Sequence, residues 1–270
     1  MRAPAIHRMP FGFGPMPGPR QAPGGGPHDW SRGPRARAVT LRFRTEAERL
    51  VPLLPPGFAL EGAPWVTLRY TELTRLDWLA GRGYRMLGVM LPARYEGQRD
   101  RVRAPFLAVL WENLADPILS GREELGYAKL PAELVNRRAA GGGRRHEARW
   151  QGHRFFEIEL GPERRCDPVP ASGPAAEGVL HYKYIPRTGA PGQADCAYAC
   201  LSPLPGKARR VTRRAEATAR FAFLPTRWEE MPTQFHIVNA LAALPVRELS
   251  LAEIETSVGG DDLSATRRLE

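Results

Sequence analysis

Lysine is scarce in this chain. Of its 39 lysine and arginine residues only Lys129, Lys183 and Lys207 are lysines, so each raises the question of what an ammonium does there that a guanidinium cannot. A guanidinium keeps its proton in any protein environment, whereas an ammonium on a buried stem can release its proton and attack a carbonyl carbon, the opening step of imine chemistry. Lys129 has the setting for that step. It closes the run Gly121-Arg-Glu-Glu-Leu-Gly-Tyr-Ala-Lys129, shortly after an apolar segment. Lys183 stands between Tyr182 and Tyr184 on an alternating segment, which predicts an ordinary solvent-facing strand residue, and Lys207 follows Pro205-Gly206 in an exposed turn.

The elements around Lys129 are legible from their punctuation. Ala104-Pro-Phe-Leu-Ala-Val-Leu-Trp111 ends in an uninterrupted apolar run, as a strand buried on both faces does. Asp116-Pro117 predicts a turn, and Ser120 with Glu123 has the spacing of a capping box, so a short helix is expected to begin near Gly121. Gly126 and Pro131 limit it to about two turns. Lys129 then returns toward the buried strand between Tyr127 and Leu130, a setting that withdraws the amine from water and favours its neutral, nucleophilic form.

Three blocks in order carry a family resemblance. Gly121-Arg-Glu-x-x-x-Tyr-x-Lys129, preceded by Glu112-Asn113 and an apolar strand, resembles the active-site segment of the acetoacetate decarboxylase family. Tyr182-Lys-Tyr-Ile-Pro186 is similar to that family's strand before its central loop, and Gln234-Phe-His236 with Leu241-Ala-Ala-Leu-Pro-Val-Arg-Glu248 is similar to its C-terminal helix and turn. The resemblance covers roughly residues 38 to 258 and implies a cone-shaped antiparallel β-barrel with peripheral helices, assembled into homo-oligomers. It implies a Schiff base on Lys129 with a small keto-acid substrate, a chemistry that requires no metal or organic cofactor. Two departures stand out. Leu130 occupies the second place of the family's adjacent lysine pair, and Arg69 and Met86 fall where the family brings glutamates from the preceding strands, with Glu72 a small register shift away. Expected substrate-binding residues are Arg122, Glu123, Glu72, Gln234 and His236, with Arg35, Arg37 or Arg122 holding the carboxylate. The expected activity is that of an imine-forming lyase resembling acetoacetate decarboxylase. Its alternatives are an aldolase-dehydratase on an α-keto acid, or a non-catalytic barrel that binds a small acid.

The rest of the chain bounds the class. Residues 1–34, dominated by glycine, proline and arginine, show neither hydrophobic period and are expected to form a mobile or loosely wrapped arm; residues 35–270 then make a single domain. No stretch approaches the 18 or more apolar residues of a membrane span, and the arm lacks a secretory core, which points to a soluble, cytoplasmic protein. Three cysteines, Cys166, Cys196 and Cys200, suggest no disulfide framework, and six scattered histidines offer no zinc signature. Formal net charge is +10, but the arginines are spread in pairs along the chain with no base-reading helix, so nucleic acid is not an expected partner.

Val39 to Arg44, Pro64 to Leu73 and Tyr84 to Tyr95 read as strands ahead of the lysine motif, with Thr45 and Glu48 spaced as a capping box between the first two. After it come a hairpin around Gln151-Gly152, strands near 179–185, 197–201 and 215–224, a helix over 233–244 and a strand within 246–258. A Pro-rich loop spans Asp167 to Pro174. Many short strands and few helices make a mostly β, α+β chain: a curved, mainly antiparallel sheet or barrel.

Overall fold

A computed structural model describes residues 18–167, 176–205 and 208–270. Most of the Pro-rich loop, Lys207 and the first half of the expected arm lie outside them. Strands dominate. The labelled elements are β1 (Arg35–Arg44), β2 (Trp65–Thr74), β3 (Tyr84–Leu91), β4 (Phe106–Glu112), α1 (Ala115–Ser120), β5 (Lys129–Pro131), β6 (Glu133–Arg138), β7 (Arg144–Trp150), β8 (His153–Leu160), β9 (Gly178–Pro186), β10 (Ala194–Pro203), β11 (Arg210–Ala217), β12 (Ala219–Phe223), α2 (Phe235–Ala242) and β13 (Ala252–Val258).

A 12-stranded sheet runs β11-β13-β1-β2-β3-β4-β9-β10, with two-residue strands at both ends, β5 on β4 and Glu248–Leu249 on β1. A four-stranded sheet, β12-β8-β7-β6, packs against it, and a small three-stranded sheet over 58–60, 93–96 and 101–103 adds Ala93 and Val102 to the same core. The chain is thus mostly β, as its alternation predicts. The expected α+β, mainly antiparallel curved sheet is what forms; its path among the described residues is not closed into a barrel, and β4 pairs in parallel with both β5 and β9. Closure depends on long-range pairing, which alternation within single strands does not encode.

Alternation gives the long sheet two different faces. One carries Val39, Leu41 and Phe43 of β1, Leu68 and Tyr70 of β2, Leu87 and Val89 of β3 and Trp111 of β4. These join Ala148, Phe155, Ile158 and Phe223 of the smaller sheet in the main core, where Trp111 meets Phe155 at 5.2 Å between ring centroids. The opposite face is curved around a cavity and holds a second cluster, Leu107, Leu110 and Tyr127, with Met86, Met90, Leu125, Val179 and Leu263 against it. Leu107 and Leu110 share this face despite lying three residues apart, because the register slips between Val89 and Met90, as a β-bulge does.

The register lays one row straight across the cavity face: Arg69 opposite Gly88, Gly88 opposite Leu110, Leu110 opposite Lys129. The next row on that face is Thr71, Met86, Glu112. This is the frame that sets the site.

Neither predicted capping box forms. The short helix Ala47–Leu50 between β1 and β2 follows Glu46 with no side-chain cap, and Thr45 is buried with its hydroxyl unpaired among the described residues. The helix before Lys129 begins at Ala115 rather than near Gly121, because Pro117 sits in its first turn, where a missing N–H costs nothing. Ser120 is therefore inside the helix, which continues as a π-helical turn over Gly121–Leu125 and stops at Gly126 with φ 83°.

Candidate active site

Lys129 opens β5 beside Leu110, and its side chain turns into the helical segment rather than outward. It is 7 % exposed. Its Nζ donates to the Pro117 carbonyl oxygen at 2.9 Å and lies 3.0 Å from Glu112 Oε1, with Glu112 fully buried. The approach to the carboxylate is oblique, so the pair is held by charge and neither oxygen receives a well-directed hydrogen bond among the described residues. Burial pushes the Glu112 carboxyl above the usual carboxylate range, and the Lys129 charge opposes that rise.

Gly121 makes the arrangement possible. A Cβ there would lie 2.4 Å from Lys129 Cε and 2.6 Å from both Cδ and Nζ. The π-helical widening and the bare glycine together open the slot that the amine occupies. Arg122, predicted to touch substrate, is instead exposed and donates to the Lys129 carbonyl oxygen at 3.0 Å, tying the strand to the helix from outside.

The Tyr127 ring lies 5.7 Å from Nζ. It stacks on His181 at 4.1 Å, and its hydroxyl donates to Ser202 Oγ at 2.5 Å; that oxygen is also 3.1 Å from His181 Nε2 and 2.8 Å from Thr266 Oγ1. Burial lowers the His181 pKa to about 4 and raises that of Tyr127 to about 12, so at neutral pH both rings are uncharged. The network fixes the aromatic wall beside the amine without adding charge. Tyr84, whose pKa burial raises well above normal with Glu112 adding to the effect, supplies another neutral hydroxyl to the lining.

The cavity measures about 370 Å³. Leu73, Leu76, Met86, Met90, Leu107, Leu125 and Val179 give it an apolar wall, and Trp78 an aromatic one. Pro19, Trp30 and Pro34 also line it, so residues 18–34 lie against the site rather than trailing from the domain. Arg20 holds this segment there, pairing with Glu124 at 2.6 Å and Asp262 at 3.3 Å. Its Gly/Pro-rich composition does not specify which of its residues pack there.

Arg69 lines the cavity at the far end of the Lys129 row. Burial, with Arg209 beside it, lowers its pKa, yet a guanidinium stays charged. It has no hydrogen bond or ion pair among the described residues.

The other expected contacts lie elsewhere. Glu72 is on the opposite face of β2, where Arg85 pairs with it at 2.8 Å and Asn136 donates to it at 2.9 Å. Glu123 offers its backbone carbonyl to Lys183 at 2.7 Å. Gln234 is buried under the main core, accepting from Trp111 Nε1 at 2.7 Å and donating to the Pro131 carbonyl oxygen. His236 is exposed on α2 against Phe235. None of the four lines the cavity. Arg37 is committed to Glu163, and Arg35 is exposed. Lys183, read as an ordinary solvent-facing residue, caps the carbonyls of Glu123 and Glu124 at the end of the π-helical turn.

Fold and site define a class: a mostly β, α+β scaffold that encloses a lysine amine in an apolar chamber. The sequence profile of the acetoacetate decarboxylase (ADC) family matches residues 8–257, and the chain belongs to that family. A search of curated protein sequences gave no match. Among solved structures it is similar to acetoacetate decarboxylase from Legionella pneumophila, with 16 % identity, 88 % of each chain covered and a TM-score of 0.66. An acetoacetate decarboxylase-like enzyme from Sphingomonas wittichii RW1 shares 16 % identity over 92 % of this chain and 97 % of that one, with a TM-score of 0.65. The enduracididine biosynthesis enzyme MppR, complexed with pyruvate, shares 14 % identity over 99 % of both chains, with a TM-score of 0.64. The same enzyme has been solved with the condensation product of pyruvate and imidazole 4-carboxaldehyde. Among the described residues no helix is long and apolar enough to cross a membrane, and no cluster of His, Cys, Asp or Glu has metal-site geometry.

Proposed function

We propose that this chain is an imine-forming carbon-carbon lyase that acts on a keto acid through Lys129. The observation that carries the reading is the enclosed pair, an amine 7 % exposed and 3.0 Å from a fully buried carboxylate, facing an apolar cavity. Glu112, with its raised pKa, takes a proton from the ammonium. The neutral amine then attacks the ketone carbon, the carbinolamine loses water, and a protonated imine remains whose nitrogen draws electrons from the adjacent bond.

Two outcomes follow from that intermediate. If the adjacent bond joins the substrate to its carboxylate, carbon dioxide leaves, and the resulting enamine is protonated and hydrolysed. If a proton is lost instead, the enamine adds to an aldehyde carbon. One observation favours the second route. Arg69 and Met86 both line the cavity where the resemblance calls for glutamates, so a guanidinium stands where an acid would repel a substrate carboxylate. Leaving carbon dioxide is neutral, so a cation near the carboxylate stabilises the ground state more than the transition state. The MppR condensation-product complex supports the plausibility of such chemistry on this fold. Assembly into homo-oligomers in the cytoplasm belongs to the same reading, and light scattering tests the assembly.

The test of the central step is reductive trapping. Borohydride added with pyruvate or a longer keto acid converts the imine to a stable secondary amine, and the adduct is read by intact mass. Lys129→Arg abolishes it. A wild-type protein that binds keto acids without forming an adduct is the non-catalytic alternative.

A further inference from the structure

We propose that Arg69 is the anion anchor of the cavity and that its ligand is a keto acid carrying a bulky apolar group, larger than pyruvate or acetoacetate. The proposal rests on the imine reading for the ketone end and adds the other two contacts.

The first argument is charge. Arg69 is partly buried with its guanidinium open to the cavity, and a guanidinium drawn away from bulk water is stabilised when an anion meets it. Other partly buried arginines on this sheet have one: Arg37 pairs with Glu163, Arg85 with Glu72, Arg209 and Arg214 with Glu255. Arg69 does not, and Glu255, the acid that acts on it most, is already held by those two arginines at 2.9 and 3.0 Å. This end of the chamber keeps an uncommitted positive charge, and a planar guanidinium meets a carboxylate with two parallel hydrogen bonds.

The second argument is register. Arg69 and Lys129 end one row across four strands, on one face, their Cα atoms about 14 Å apart along the sheet at three strand spacings, a gap that two long side chains rising from one floor can bridge to the same acid. Between them stands Gly88, where a Cβ would come within 3.2 Å of Leu107 Cδ1 and 3.3 Å of Leu110 Cδ1. The bare glycine keeps the floor between the two cations clear. The third argument is the wall. At about 370 Å³ the cavity falls in the range that encloses drug-sized ligands, and Leu73, Met86, Met90 and Leu107 give it an extended apolar wall among its polar lining residues. A carboxylate on Arg69, a ketone at Lys129 and a hydrocarbon or aryl group against the leucines and methionines satisfy all three features.

The experiment compares half-saturating concentrations for borohydride trapping on the full chain, using pyruvate, a straight-chain 2-oxo acid series, phenylpyruvate and neutral methyl ketones of matched shape. In the wild type the value should fall about fourfold per added methylene until the chamber is full. Arg69→Met should raise it about ten- to hundredfold for the acids while leaving the neutral ketones unchanged, which also shows that the variant is folded. Arg69→Lys should recover part of the loss. Equal effects of Arg69→Met on acid and neutral ketone, or no effect on either, overturn the anchor; pyruvate trapped as well as the longer acids overturns the size class. If the wild type traps nothing, the imine reading has failed, and calorimetric titration of the same acid and ketone pairs against wild type and Arg69→Met decides the anchor by itself.

Discussion

Replacing Gly121 by alanine separates placement of the amine from stability of the fold. The added Cβ would fall 2.4 to 2.6 Å from Cδ, Cε and Nζ of Lys129, so something must move. What it meets is the far end of a flexible side chain. The backbone at Gly121 has φ −69°, which alanine adopts freely and which favours alanine by about 1 kcal/mol in a helix. Overpacking costs about 1 to 3 kcal/mol, and the two combine to a loss of about 0 to 2 kcal/mol. The amine, however, must leave the position 3.0 Å from Glu112, and a displacement on the order of 1 Å costs a reacting group about a hundredfold in rate. Gly126→Ala is the contrast: its φ is 83°, and a Cβ would meet Lys183 Cβ at 2.4 Å, close to a strand backbone that cannot yield. Urea midpoints and borohydride trapping rates measured together should show Gly121→Ala nearly as stable as wild type and about a hundredfold slower, and Gly126→Ala clearly destabilised. A Gly121→Ala protein that traps a keto acid at the wild-type rate would refute the slot.

Three further outcomes follow. Lys183→Met removes donors to the Glu123 and Glu124 carbonyls, which should cost about 1 kcal/mol and speed amide exchange over residues 121–127; unchanged exchange there would mean the cap is idle. Because burial holds the His181 pKa near 4 in the folded chain, the unfolded chain binds the extra proton between pH 4 and about 6.5, so stability rises with pH across that window and is lost as pH falls through it. His181→Asn should reduce that slope by up to about 1.4 kcal/mol per pH unit, and denaturant midpoints at several pH values check it. Cys200 is buried with its pKa raised to about 11 by desolvation, whereas Cys166 and Cys196 are partly exposed, so maleimide should label those two in the native protein and spare Cys200.

How much of this was legible in the chain depended on whether the deciding physics was local. The arginine bias singled out Lys129, the apolar run over 106–111 gave a strand buried on both faces, and Gln151-Gly152 closed the hairpin between β7 and β8 with both φ values positive. The cavity face of β2 was harder. A one-residue shift reverses every side chain of a strand, and that shift separates Glu72, paired with Arg85 on the far face, from Arg69 and Thr71 in the cavity. Glu112 stood in the motif without a role because only the parallel β4–β5 pairing brings it under the amine. Trp30 and Pro34 were hidden by the absence of any period in their segment, while Gln234 and His236, both expected at the site, lie outside the cavity because the former bonds Trp111 in the main core and the latter is exposed.

Peptide mapping after borohydride reduction in the presence of 2-oxo acids tests the central claim most directly. The account predicts a single reduced adduct on the peptide bearing Lys129, absent without substrate and absent in Lys129→Arg. An adduct confined to Lys183 or Lys207, or none with any acid in the series, would contradict it.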